Sequence, residues 1–157
     1  MGFLEWLELT GIGTFVREGD SIWAFPMVIT LHTFGLTVLV GTSAVVNLRL
    51  LGVGQGVIPL PALRPLFRVM WSGFGLNLVT GVLLLMADAT TRGSSLFFLM
   101  KMVFVATATS TLVLIKRSVF DAPAGTPSAG PSPRLLAVVS LGAWTAAITA
   151  GRLLAYL

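Results

Sequence analysis

His32 is the chain's single histidine, and it lies inside an apolar run, SIWAFPMVITLHTFG. An imidazole at membrane depth serves as a haem or metal ligand, as a proton relay, or as a hydrogen-bonded link between helices. Polar residues with which it could act recur at helical spacing. In the first apolar block His32, Gly35, Leu39, Ser43 and Asn47 share a face, and in the second Met70, Gly73, Asn77, Thr80, Gly81 and Asp88 do so. In the fourth, Thr145, Thr149, Arg152 and Tyr156 share one.

Counted from one end of the blocks, His32, Asn77 and Thr145 each lie about eleven residues in, roughly 16 Å at the α-helical rise, and are expected to meet near mid-depth. Asp88, Lys101 and Arg152 fall within a turn or two of that same end, where one carboxylate and two cations are expected to pair. A surplus cation is then left for an anionic group. Asp88, Thr145 and Thr149 make up the expected structural polar cluster.

One chemistry that fits these residues is b-type haem. His32 is the axial ligand, with Asn77 beside it; Gly35, Gly73 and Gly81 leave room for a flat macrocycle; Lys101 and Arg152 neutralise the propionates. The second axial position falls to Met27, Met86 or Met100, to His32 of another protomer, or to nothing. A second reading makes His32 a hydrogen-bonded packing residue in a structural or accessory subunit without a cofactor. A third makes the chain a proton- or cation-coupled channel or transporter, with a wet path from Asp88 past His32 toward Asn47 and Arg49. One histidine and scattered methionines supply too few soft ligands for a copper permease. Nucleophile elbow, phosphate loop, zinc motif and paired carboxylates are all missing, so no catalytic residue is assigned and soluble hydrolase and kinase chemistry is set aside.

The elements that must position these groups are read from composition. Of 157 residues, 55% are hydrophobic and 10% charged, against roughly a quarter charged in soluble domains. The apolar residues gather in four blocks, each long enough to cross a hydrocarbon core that needs about 20 helical residues. The predicted fold is therefore an all-α integral membrane protein: a single domain over 1–157, with four spans at about 21–51, 62–88, 96–116 and 134–156. A short interfacial helix over 3–17 precedes them, with Trp6 at headgroup level. TTRGSS is a tight turn between spans two and three, and 118–133 a flexible cytoplasmic loop.

Cysteine is absent, which removes disulfides, thiolate metal sites and covalent haem attachment. The net charge of +4 is scattered around the spans rather than gathered into a stripe, so it reads as a topology signal and not as nucleic-acid binding. Arg49, Arg64, Arg68, Lys116, Arg117 and Arg134 mark one side as cytoplasmic; both termini then face the periplasm or exterior. No basic region opens the chain, so a cleavable signal peptide is not expected and the mature chain is expected to start at Met1. The expected partners are the lipid bilayer and other subunits, as a homo-oligomer or within a larger membrane complex.

The segments FLEWLE, WAFPMVITLHTFGL, LRLLG, IPLPALRPL, GFGLNLVTGVLLLMADAT and AITAGRLLAYL resemble a bacterial family of small four-span membrane proteins of unknown function. The resemblance covers nearly the whole chain. It implies a four-helix membrane fold in the bacterial inner membrane and transfers no reaction to His32, Asn77 or Arg152. More distantly, the LHTFG stretch is similar to copper-resistance-D-type and other small cytochrome-b-like membrane proteins.

Overall fold

The computed structural model describes residues 2–122, 130–154 and 156, and all regular structure among them is helical. The elements are α1 (Phe3–Glu8), α2 (Gly11–Glu18), α3 (Phe25–Leu51), α4 (Leu66–Ala87), α5 (Ala89–Gly93), α6 (Leu96–Ile115) and α7 (Pro133–Leu153). A 3₁₀ turn, Leu60–Leu63, leads into α4, and a π turn, Lys116–Phe120, extends α6. Four segments, Phe25–Leu51, Leu60–Ala87, Leu96–Phe120 and Pro133–Leu153, are long and apolar enough to cross a membrane.

Local chemistry sets the helix ends. Pro26 stands in the first turn of α3, where the missing N–H costs nothing. Gly52 ends that helix at φ +112°, a left-handed conformation that glycine adopts without strain, and its N–H returns to the Arg49 and Leu48 carbonyls. Pro59, Pro61 and Pro65 hold the entry to α4 in a tighter turn, which delays the regular helix from the expected residue 62 to Leu66. Ser132 caps α7 by accepting the Leu135 N–H, with Pro133 at the first helical position. The expected flexible loop, 118–133, falls partly on residues 123–129, outside the described residues. Of its described parts, 118–120 belong to the π turn and Pro133 opens α7.

Two tight helix pairs build the bundle. α3 packs on α4, α6 packs on α7, and α3 against α7 joins the pairs. Between α3 and α4 the contact is backbone to backbone. A Cβ at Gly73 would stand 2.9 Å from the Leu39 nitrogen and 3.0 Å from the Gly35 carbonyl oxygen; one at Gly35 would stand 3.0 Å from the Asn77 nitrogen. The α3–α7 contact holds a small polar knot, in which the amide of fully buried Asn47 donates to Ser43 Oγ at 3.2 Å and to Ser140 Oγ at 3.0 Å. Around it Leu39, Val46, Met70, Leu112, Ile115, Leu136 and Trp144 form the main core. The outward faces are apolar as well, with Val79, Leu78, Leu99, Val103 and Val138 all more than half exposed.

The N-terminal segment departs from the expected single interfacial helix. Thr10 breaks it into α1 and α2 by accepting the Gly13 N–H, and the two fold back as a cap over one end of the bundle. Gly13 lies so close to α4 that a Cβ would meet the Met86 carbonyl at 2.8 Å, while Val16 packs with Val28 and Ala87. Glu8 latches the cap: one carboxylate oxygen accepts the Thr90 hydroxyl at 2.7 Å and the Thr90 N–H at 3.1 Å, and the other meets Arg17 at 2.9 Å. The expected tight turn TTRGSS accordingly contains a helical turn, α5, that presents Thr90 to this latch.

Gly73→Val should therefore lower the thermal stability of the purified protein by about 3 kcal/mol, the upper end for overpacking, because backbone cannot yield as a side chain does. Gly75→Val, in open space, should leave it unchanged; equal melting of the two variants would contradict the packing described. The Thr90 hydroxyl, then its N–H, hold the Glu8 carboxyl below the ordinary carboxylate range. Its contribution is thus complete above the unfolded-state value and is lost as pH falls through the lowered one. Protection of the α1 and α2 amides against hydrogen exchange, taken relative to intrinsic exchange at each pH, should fall at acid pH, and Glu8→Gln should remove that fall.

Candidate functional site

The short α5 joins α4 to α6, yet along their length these two helices make no contact comparable to the other pairs. They are tied at both ends instead. At one end stands α5, with Asp88 pairing to Arg92 at 3.0 Å. At the other, Asp121 meets Arg64 at 3.2 Å and also Lys116; Arg64 donates to the Phe120 carbonyl, and Phe67 packs edge-on against Phe120 with ring centroids 5.0 Å apart. The Lys116 hydrogen bond, with Arg64 beside it, holds the Asp121 carboxyl below its ordinary range. Between these ties a fissure opens along the bundle.

Two compartments make up the fissure, and they share Phe74 and Thr109. The larger, about 420 Å³, is lined by His32, Asn77 and Gly81 on one wall and by Lys101, Met102 and Val105 on the other. Leu78, Val82, Met102, Ala106 and Ser110 on its rim are exposed, so it opens sideways out of the bundle. The smaller, about 260 Å³, continues between Met70, Trp71 and Leu112 to Lys116, Arg117 and Asp121.

His32 is held on the α4 wall by an ordered set of hydrogen bonds. The Thr80 hydroxyl donates to the Leu76 carbonyl at 2.7 Å, which leaves its oxygen to accept from His32 Nδ1, 3.0 Å away. That network assigns the Nδ1–H tautomer and leaves the lone pair on Nε2. Asn77 Nδ2 donates to the His32 backbone carbonyl at 2.9 Å and approaches Nε2 only at 3.4 Å. The carbonyl it occupies is otherwise engaged within α3, so Asn77 locks the ring's own turn of helix to α4.

His32, Asn77 and Lys101 are thus brought together, and the other expected site residues are not. Thr145 and Thr149 lie on an exposed face of α7 and donate to the carbonyls of Leu141 and Thr145 at 2.9 Å. A hydroxyl satisfied on its own helix needs no interior partner. The face that α7 buries is instead its small-residue stripe, Ala137, Ser140, Ala143, Ala147 and Ala150 with Trp144, which permits close approach to α3 and α6. Arg152 is exposed and, among the described residues, has no ion pair. Asp88 pairs with Arg92 four residues on, not with Lys101 or Arg152.

Lys101 crosses toward α7, its stem passing over Gly151, where a Cβ would lie 3.5 Å from its Cδ and 3.6 Å from its Nζ. It is half-buried and has no carboxylate partner among the described residues. The three glycines expected to make room for a macrocycle are used otherwise. Gly35 and Gly73 admit each other's backbone, and the space at Gly81 is taken by His32, whose Cε1 would lie 3.2 Å from a Cβ there. Of the expected second axial ligands, Met27, Met86 and Met100 do not line the fissure; Met102 does. No group of three or more His, Cys, Asp or Glu that could hold a metal occurs among the described residues.

Thr80, Thr109, Met102 and Trp71 join the site from outside the expected set. Thr80 stands in the polar stripe of the second apolar block; Thr109 carries a buried hydroxyl oxygen with no partner among the described residues, at the junction of the two compartments. No protein-family model, curated protein or solved structure matches the chain, so the site stands on its own residues.

Because His32 is the one histidine, its nitrogen resonances are unambiguous. Nitrogen-15 spectra of histidine-labelled protein at neutral pH should show the Nδ1–H tautomer, and Thr80→Val should shift the ring toward Nε2–H. A dominant Nε2–H form in the unsubstituted protein would contradict the hydrogen-bond network.

Proposed function

We propose that this chain is a polytopic protein of the bacterial cytoplasmic membrane that works by binding, holding a lipophilic molecule in the fissure between α4 and α6. The observation that carries the reading is a gap between two helices fastened at both ends, with the chain's one histidine opening into it beside a half-buried lysine that has no carboxylate partner among the described residues. Soluble monomers rarely expose apolar surface as extensive as the outward helix faces that continue into this gap at Leu78, Val82 and Val105. In a bilayer the outward valines and leucines face lipid, small residues let helices approach, and a side-opening cleft is reached from the hydrocarbon. Trp6, Trp23 and Phe25, exposed at one end, suit an interfacial belt. The cluster of Arg49, Arg64, Arg68, Lys116, Arg117 and Arg134 at the opposite end supports a cytoplasmic position for that end, with both termini outside.

A second reading keeps His32 as a b-haem ligand, with Lys101 at a propionate. The pinned Nδ1–H favours it, since an imidazole whose other nitrogen is fixed by a hydrogen bond offers Nε2 in a set orientation. The closed spaces at Gly35, Gly73 and Gly81 weigh against it, because they leave a narrow slot. A binding subunit without its own chemistry also suits assembly with a second copy or a larger membrane complex. For the transporter reading, Asp88 is already paired with Arg92, at the end of the suggested path.

Protein purified in mild detergent and extracted with organic solvent should release a retained lipophile, and Ala106→Phe, which fills the fissure, should release several-fold less. Equal release from both would contradict the binding reading. A Soret band in the same preparation, from cells supplied with haem and abolished by His32→Gln, would establish the second reading instead.

A further inference from the structure

The fissure has a direction. From Lys101 to Lys116 it follows α6 for roughly fifteen residues, or about 22 Å at the helical rise, through mostly apolar walls in which Asn77, Thr109 and Ser110 are the polar side chains between the charged ends. Its two compartments are small, about 420 and 260 Å³, and meet at Phe74 and Thr109. Ligand sites commonly hold about 300–1,000 Å³ in one compact volume; a long, thin pair of compartments suits a single flexible chain better than a planar ring or two chains side by side.

The two ends differ in charge. At the inner end Lys116 is already paired with Asp121, and Arg117 is exposed. At the outer end Lys101 lies about 7 Å along α6 from its start, half-buried between Gly151 and the fissure, with no carboxylate partner among the described residues. Of the other cations at that end, Arg92 is held by Asp88 and Arg152 is exposed. A lysine amine lodged among apolar side chains gains from an anionic partner, and a carboxylate supplies one charge and short charge-assisted hydrogen bonds. A neutral lipophile leaves the amine unpaired.

We propose that the occupant of the fissure is a long-chain carboxylate of the fatty-acid type, its carboxylate at Lys101 and its tail running past Thr109 to Trp71. This deepens the binding reading above and rests on it. Asn77, on the opposite wall, is engaged with the His32 carbonyl, so Lys101 is the group that selects for the acid.

Palmitate brominated near its terminal methyl group tests the inference, since bromine quenches indole fluorescence at contact and Trp71 lines the inner compartment. The protein is reconstituted in phosphatidylcholine nanodiscs. The acid should quench saturably and the Trp71→Phe variant should lose that quenching. The brominated methyl ester should bind at least ten-fold more weakly than the acid. Lys101→Leu should lower affinity for the acid about ten-fold while leaving the ester unchanged, and Lys101→Arg should restore it. If Lys101→Leu fails to fold, the acid-to-ester ratio on the unsubstituted protein decides. Equal binding of acid and ester, or displacement of the acid by an equal amount of phosphatidylglycerol, would overturn the carboxylate and leave the binding reading standing. Absence of saturable quenching by either compound would overturn both.

Discussion

Gly35 and Gly73 leave no side chain between α3 and α4, and each backbone occupies the space where the other's Cβ would stand. That close approach fixes α4 onto α3 along most of its length. α3 is in turn committed to α7 through Asn47, Ser43 and Ser140, and α7 is committed to α6. With three interfaces of a four-helix ring closed so tightly, the fourth, between α4 and α6, is left open. The chain closes the ring only at its ends, by the short α5 and by the Arg64–Asp121–Lys116 cluster. The fissure is therefore a product of the packing elsewhere and not of any single residue within it.

At the closed interfaces Thr111 donates to the Ala108 carbonyl, Thr42 to that of Val38, and Asn47 to two serines, while Asn47 Oδ1 and Trp144 Nε1 have no partner among the described residues. At the open interface the Thr109 hydroxyl has no partner and the Lys101 amine no carboxylate partner among the described residues. A buried polar group lacking a partner is costly, which gives an occupant with matching chemistry a free-energy advantage over plain hydrocarbon. The cap formed by α1 and α2 belongs to the same end of the bundle as Lys101, and its latch, Glu8 on Thr90, is seated on α5.

Much of this is legible in the sequence. Four apolar blocks of sufficient length set the number of long helices, and the stripe Gly35, Leu39, Ser43 and Asn47 is indeed the buried face of α3. Period and depth put His32 beside Asn77, but the same count adds Thr145 to them and sends Lys101 to Asp88 and Arg152, which the structure does not do. The α7 face misleads because its threonines look like polar groups in need of an interior; their hydroxyls are satisfied by the preceding turn, and the alanine stripe through Ser140 and Trp144 is the stronger signal. Asp88 pairs with Arg92, one turn away, rather than with the distant cations that depth alone suggests. Glycines in one helix look like room for a ligand, whereas pairwise contact between helices, invisible in one helix's periodicity, consumes that room. The fissure itself depends on which pairs of helices touch, and a single sequence does not encode that in any local pattern.

The absence of cysteine makes the open interface directly measurable by disulfide trapping in a bilayer. Cysteines replacing Asn47 and Ser140, across α3 and α7, should oxidise readily, because those side chains already meet. Cysteines replacing Leu78 and Ala106, on opposite walls of the fissure, should remain reduced under the same conditions. Rapid linkage of the Leu78 and Ala106 positions would mean that α4 and α6 pack together, and it would contradict an open fissure between them.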